Sequence, residues 1–191
     1  METERFEALI DAIIAIIITL IVMEFPFPQT TTFSSLLELY PEFISYTISF
    51  IICFNFWNYH HNIFGVLNKL NSRITWMSAI SIMVIGLLPY LTVMVSENFY
   101  SFTAQALFGL IFIVTNINIY IVNYLLLSID KGNIALHVML NNYKKDAVWT
   151  MVLFIVGYII GYFFYPPAIM VFCLLTIIIR IFASMIKRVR S

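Results

Sequence analysis

Long apolar stretches alternate with short polar connections along the whole chain. A helix needs about 20 mostly apolar residues to cross about 30 Å of hydrocarbon. The uncharged run between Asp11 and Glu24 covers only about 18 Å at a helical rise of 1.5 Å per residue. The first predicted span therefore carries both acids at or inside its ends, over residues 8–27. Further spans are predicted over 43–61, 74–95 and 102–128. The apolar stretch between Asp146 and Arg180 is too long for one crossing. Pro166-Pro167 divides it, because two prolines remove donors and break a helix. Two helices result, over 147–165 and 168–186, the second holding Arg180, whose long stem can snorkel to the interface. The predicted fold is an all-α integral membrane protein, one domain of six transmembrane helices over 1–191, with both termini on one side.

Charge supplies the orientation. The ten basic residues are Arg5, Lys69, Arg73, Lys131, Lys144, Lys145, Arg180, Lys187, Arg188 and Arg190. Six spans place all of them at the N-terminus, in the second or fourth connection, or at the C-terminal end. The positive-inside rule then puts both termini in the cytoplasm. Glu2, Glu4 and Glu7 outweigh Arg5, and no small-residue cleavage site follows, so the first segment reads as a retained span rather than a signal peptide. Composition agrees: 62% of the 191 residues are hydrophobic and 10% charged, against about a quarter charged in a soluble domain. With a net charge of zero there is no basic field for nucleic acid. Cys53 and Cys173 sit in apolar runs and imply neither a disulfide nor a metal framework. No phosphate loop, nucleophile elbow or Cys/His cluster appears, so no enzyme and no cofactor are expected.

The first helix carries the pattern that points to function. At about 100° per residue, Leu9, Ala12, Ile16, Leu20, Met23 and Phe27 fall within about 40° of one line and make an apolar stripe. Asp11 falls about 140° away, on the back of the helix, and Glu24 closes the outer end. A carboxylate inside a membrane helix is costly unless paired or wet, so Asp11 requires a partner. Arg5, Trp57, His60 and His61 are the candidates, placed at the cytoplasmic ends of the first two helices.

The segment Arg5-Phe6-Glu7-Ala8-Leu9-Ile10-Asp11-Ala12-Ile13-Ile14-Ala15-Ile16, continuing through Thr19-Leu20 to Glu24, resembles the opening helix of the bacterial branch of the lysosomal/endosomal potassium channel family, the transmembrane protein 175 family. That family's hallmark is an Arg, three residues, then Phe-Ser-Asp leading into an Ala-Ile-x-x-Thr-Leu helix. Trp57-Asn58-Tyr59-His60-His61-Asn62-Ile63-Phe64 and Leu87-Leu88-Pro89-Tyr90-Leu91-Thr92 extend the resemblance. The chain departs from the hallmark at Leu9-Ile10, where the family has Phe-Ser, and Ile10 cannot make the serine's hydrogen bonds.

The resemblance implies a homotetramer in which four first helices surround one pore. It makes Ile16, Leu20 and Met23 the rings of the constriction, with Thr19 as their polar neighbour. It further implies weak-to-moderate preference for potassium over sodium without a carbonyl filter. Elementary physics agrees in outline, because apolar constrictions gate by dewetting and a partly dehydrated pore favours the ion that sheds water more easily. Glu24, Glu38, Glu42 and Glu97 lie on the predicted outer side, with no Lys or Arg there, and Glu24 is best placed to gather cations at the mouth. Arg5, Asp11, Trp57, His60 and His61 would form the structural network of the motif. The expected protein is thus a potassium-permeable leak channel of the cell membrane. Its partners are its own copies, K⁺ and other monovalent cations, and the bilayer. The competing reading is a small secondary transporter or proton-permeable carrier that uses Asp11 with the intramembrane Asn116, Asn118 and Asn123. Those asparagines read first as hydrogen-bonding groups between helices. Val156-Gly157-Tyr158 echoes a carbonyl filter but lacks the rest of that signature. Gly157 and Gly161 instead form a GxxxG pair that admits another helix closely.

Overall fold

In the computed structural model, backbone is described for residues 3–67 and 71–189; side chains at 142, 144–146 and from 183 onward lie outside the description. The basic residues Lys69, Lys144, Lys145, Lys187, Arg188 and Arg190, used above for orientation, fall outside it wholly or as side chains. The order of elements is α1 (Thr3–Met23), α2 (Phe33–Glu38), α3 (Tyr40–Phe64), α4 (Ser72–Ile85), α5 (Leu88–Glu97), α6 (Phe102–Ile129), α7 (Ile134–Phe163) and α8 (Ala168–Val189). No strand occurs among the described residues.

Helix starts are set by short polar side chains that accept the first orphan N–H groups. Asn71 accepts from the Ile74 N–H at 3.0 Å and Asn133 from the Leu136 N–H at 3.0 Å. Ser101 caps α6, and Thr32 caps the single-turn α2. Among the described residues, Glu4–Met23, Ser72–Glu97 and Phe102–Ile129 are long and apolar enough to cross a membrane. Ala147–Phe163 and Ala168–Phe182 are apolar but shorter. α3 has the length, but Asn55, Asn58, His60, His61 and Asn62 make its last turns polar.

Three boundaries differ from the sequence expectation. α1 ends at Met23, four residues early, because Pro26 and Pro28 cannot supply the N–H groups a continuing helix needs. The apolar pass expected over 74–95 is broken at Gly86-Leu87. Pro89 stands in the first turn of α5 and has no N–H to donate. Gly86 and Leu87 keep helical backbone angles, so the pass continues with only a local interruption. α7 begins at Ile134 rather than 147, so the helix runs through Lys144, Lys145 and Asp146. A charged turn stops a span, not a helix.

α3 occupies the middle of the bundle, packed on α1, α5 and α8, while α6 packs on α4, α5, α7 and α8. α7 and α8 approach each other closely at two glycines. A Cβ added at Gly157 would lie 2.6 Å from Phe172 Cβ, and one at Gly161 would lie 2.6 Å from Ile169 Cγ1. The GxxxG pair therefore admits the chain's own α8. Gly109 of α6 receives Ile169 in the same way, at 2.6 Å. Cys53 and Cys173 are free and buried.

Candidate functional site

α1 has two apolar faces of opposite fate. Phe6, Ile10, Ile14, Ile17 and Ile21 are buried against the rest of the chain, and α1 packs on α3, α5 and α4. The stripe Leu9, Ala12, Ile16, Leu20 and Met23 lies on the other side and is exposed along its length. Ile16 is 58% exposed, Leu20 43% and Met23 77%. Phe27, assigned to the same stripe from periodicity, stands beyond the helix end and is removed from it. Thr19 is exposed beside the stripe, and its hydroxyl donates to the Ile16 carbonyl at 2.8 Å. That bond satisfies the hydroxyl within its own turn.

The C-terminal end of α1 is acidic. Glu24 follows the last turn and shares a small recess with Glu42, Thr92 and Ser96. Glu38 and Glu97 are exposed. The recess is braced by Ser49 and Thr92, whose hydroxyls are 2.7 Å apart between α3 and α5. Thr92 also donates to the Leu88 carbonyl, which leaves Ser49 as the donor of the interhelical bond.

At the opposite end, two side chains on the back of α1 meet two on α3. Trp57 Nε1 donates to Asp11 Oδ1 at 2.8 Å. One turn away on each helix, His61 Nδ1 lies 2.8 Å from Glu7 Oε1. The Trp57 and His61 rings stack, with centroids 5.1 Å apart and planes 10° from parallel. Because α1 and α3 run antiparallel, each step of one turn on α1 meets a step of one turn back on α3. Phe6 against Phe64 and Phe25 against Phe43 extend the same register to both ends.

This arrangement selects among the partners proposed from sequence. Of Arg5, Trp57, His60 and His61, it is Trp57 that satisfies Asp11. Arg5 is exposed and has no ion-pair partner among the described residues. His60 turns away from α1 into the core, with Nδ1 3.1 Å from the Phe56 carbonyl and the ring packed on Phe56 and Tyr59. His61 is aimed at Glu7, which sequence reasoning had weighed only for the charge of the N-terminus. The missed signal was the spacing: Glu7 and Asp11 are four apart, as are Trp57 and His61, so each pair shares one helical face. Ile10, at the position of the family serine, is 1% exposed and packed in the core.

The intramembrane asparagines all bridge helices or cap their own turns. Asn118 accepts from Ser81 at 2.6 Å, and Asn123 accepts from the Tyr59 hydroxyl. Asn116 donates to the Phe112 carbonyl and accepts from Arg180 Nη2 at 3.3 Å. Arg180 also donates to Thr150 at 3.2 Å. Its guanidinium thus reaches from α8 to polar side chains of α6 and α7. Among the described residues no cluster of His, Cys, Asp or Glu could hold a metal.

Comparison with known proteins follows the same lines. Residues 5–89 match the family described as endosomal/lysosomal potassium channel TMEM175. A potassium channel of Chryseobacterium sp. (strain P1-3) is 28% identical over 166 residues, covering 87% of this chain and 85% of that protein. A potassium channel of Chamaesiphon minutus is 31% identical over 102 residues, half of each chain. The fold matches the crystal structure of a lysosomal potassium-selective channel TMEM175 homolog from Chamaesiphon minutus, with a TM-score of 0.80 over 96% of this chain and 98% of that one, at 22% identity. The resemblance read from the first three helices is borne out, and the matched family is one of channels, not enzymes.

Proposed function

From its kinship with the endosomal/lysosomal potassium channels of the TMEM175 family, we propose that this chain is the subunit of a potassium-permeable leak channel, four copies of which enclose one pore with their α1 helices. One observation carries the reading. Among the described residues of α1, the apolar stripe bearing Ile16, Leu20 and Met23 is left uncovered by the subunit. One small bundle has little room for its own aqueous path, whereas a ring of identical helices makes one by symmetry. The neighbouring edge of α1 suits that assembly, because Ala8, Ala12, Ala15 and Thr19 are small and exposed and let a second helix approach closely.

Ile16, Leu20 and Met23 then form stacked apolar rings. Such rings expel water, and the ion that loses hydration more easily crosses them more readily, which favours potassium over sodium to a weak or moderate degree. Thr19 gives its hydroxyl proton to the Ile16 carbonyl, which leaves its oxygen lone pairs as the polar group beside the rings. Met23, flexible and polarisable, makes the outermost ring the softest. Glu24, one residue beyond it and repeated around the axis, concentrates cations at the mouth. Asp11 and its Trp57 tie hold the cytoplasmic end of the pore helix against α3. In this reading the chain crosses the cell membrane six times with both termini in the cytoplasm. A carrier built on Asp11 and the asparagines is less well supported, since each of these groups is engaged within the subunit.

The test is purified protein in liposomes under a potassium gradient, comparing wild type with Ile16→Asn. A wetted ring raises flux and lowers the preference for potassium over sodium. An unchanged current removes Ile16 from the pore, and a monomeric mass for the active protein removes the pore altogether.

A further inference from the structure

At the end of the bundle where α1 terminates, three connections converge on tyrosines. Tyr40 opens α3, Tyr100 stands just before α6, and Tyr165 lies in the turn between α7 and α8. The Tyr40 and Tyr100 hydroxyls are 2.7 Å apart, and the Tyr100 and Tyr165 rings meet edge to face with centroids 6.0 Å apart. Buried Phe99 supports the group, its ring packed against both Tyr40 and Tyr100. The Ala168 N–H donates to the Tyr165 carbonyl at 2.9 Å across Pro166-Pro167, which fixes the turn that presents Tyr165. The three rings are held, yet Tyr40, Tyr100 and Tyr165 keep 42%, 57% and 48% of their surface open. Beside them Phe163 and Phe164, 69% and 82% exposed, make an apolar collar at the end of α7. Charge at this end has one sign. Segments 24–42, 96–102 and 163–168, all within the described residues, hold Glu24, Glu38, Glu42 and Glu97 and no Lys, Arg or His. The pKa of the Tyr40 hydroxyl is raised, first by its bond to Tyr100 and least by the negative charge of Glu42.

We propose that the Tyr40–Tyr100–Tyr165 cluster is a docking site for the ammonium headgroup of a zwitterionic phospholipid, whose acyl chains lie against Phe163 and Phe164. Three features favour this occupant. The face of a tyrosine ring is negative and attracts a cation, a quaternary ammonium above all. The surrounding carboxylates, with no basic side chain in the same connections, add to that attraction and repel an anionic headgroup. Tyrosines at the ends of apolar helices stand at headgroup depth, ring toward the chains and hydroxyl toward water. The collar decides for a lipid over a free ammonium compound, because Phe163 and Phe164 offer only apolar surface. The site requires a membrane but not the pore, so the two readings fail separately.

The test uses full-length protein reconstituted in equal parts of phosphatidylcholine and phosphatidylglycerol. Native mass spectrometry counts the lipids that remain bound after extraction. Wild type retains phosphatidylcholine in preference to phosphatidylglycerol. Tyr100→Leu and Tyr165→Leu each lower that preference by about two- to fivefold, the loss expected for one exposed cation–π contact. Phe164→Ser lowers the number of retained lipids of both kinds and leaves their ratio unchanged. Equal retention of the two lipids by wild type overturns the proposal, and so does a preference for phosphatidylglycerol. An unchanged ratio in folded Tyr165→Leu overturns it as well. Glycerophosphocholine, which has the headgroup but no acyl chains, binds far more weakly than the lipid; equal binding overturns the choice of a lipid. If Tyr100→Leu does not fold, the half-exposed Tyr165 decides alone.

Discussion

The two faces of α1 are almost equally apolar, yet they belong to different structures. Phe6, Ile10, Ile14, Ile17 and Ile21 are buried in the subunit, whereas Leu9, Ile16, Leu20 and Met23 are not. The buried face is almost wholly isoleucine, stiff at its first torsion and suited to one fixed packing. The open face mixes Leu, Ile and Met with a neighbouring edge of Ala and Thr. Hydrophobicity alone does not separate a face that holds the subunit together from one that the subunit leaves uncovered. Stiffness, size and the presence of a packing partner do.

The largest expected contrast is therefore between neighbours two residues apart. Ile14→Ala should cost about 2–5 kcal/mol of stability, as other buried truncations do. Ile16→Ala should stay within about 0.5 kcal/mol of wild type in the same measurement, while altering potassium flux in liposomes. Thermal unfolding in detergent reads both, and equal losses would mean that the two faces are packed alike.

A smaller effect sharpens the comparison at the N-terminal end of α1. Trp57→Phe keeps the ring but removes the donor to Asp11, and should cost about 1.5–3 kcal/mol because the acceptor is a carboxylate. Asp11→Asn retains an acceptor oxygen and should lose less than Trp57→Phe. If the two substitutions cost the same, the charge on Asp11 is what matters rather than the bond. The smallest effect belongs to Glu7. The Glu7 carboxylate and the His61 ring are 22% and 54% exposed, so Glu7→Gln should change stability by no more than about 1 kcal/mol. That difference should shrink as salt is raised, because screening shortens the reach of exposed charges. A loss independent of salt would make the Glu7 contact one of shape instead.

Much of the fold was legible because its signals are local. Apolar length located the passes, and Pro166-Pro167 marked the turn before α8. The two faces of α1 were only half legible. Periodicity drew the stripe correctly up to Met23, but it extended the line to Phe27, where Pro26 had already ended the helix. The third pass was read as one span, and Ser72–Glu97 is one stretch long and apolar enough to cross, with a local interruption at Gly86-Leu87 that the apolar run does not announce. α7 was cut short at Lys144-Lys145-Asp146 because charge was taken to end a helix when it ends only a lipid-facing one. Four candidates were named for Asp11 and the sequence could not choose among them; the packing of α3 on α1 brings Trp57, whose indole N–H supplies the donor without a second buried charge. The polar side chains that Arg180 reaches come from two other helices, α6 and α7, which the sequence alone does not bring together.

Gly157 and Gly161 bear on where a second copy of this chain could dock. In many membrane helices a glycine groove of this kind is the handshake between separate molecules. Here the groove is already filled by Phe172 and Ile169 of the same molecule. Any contact between copies must then be made elsewhere, and disrupting the groove would loosen each protomer from within before it altered how many gather.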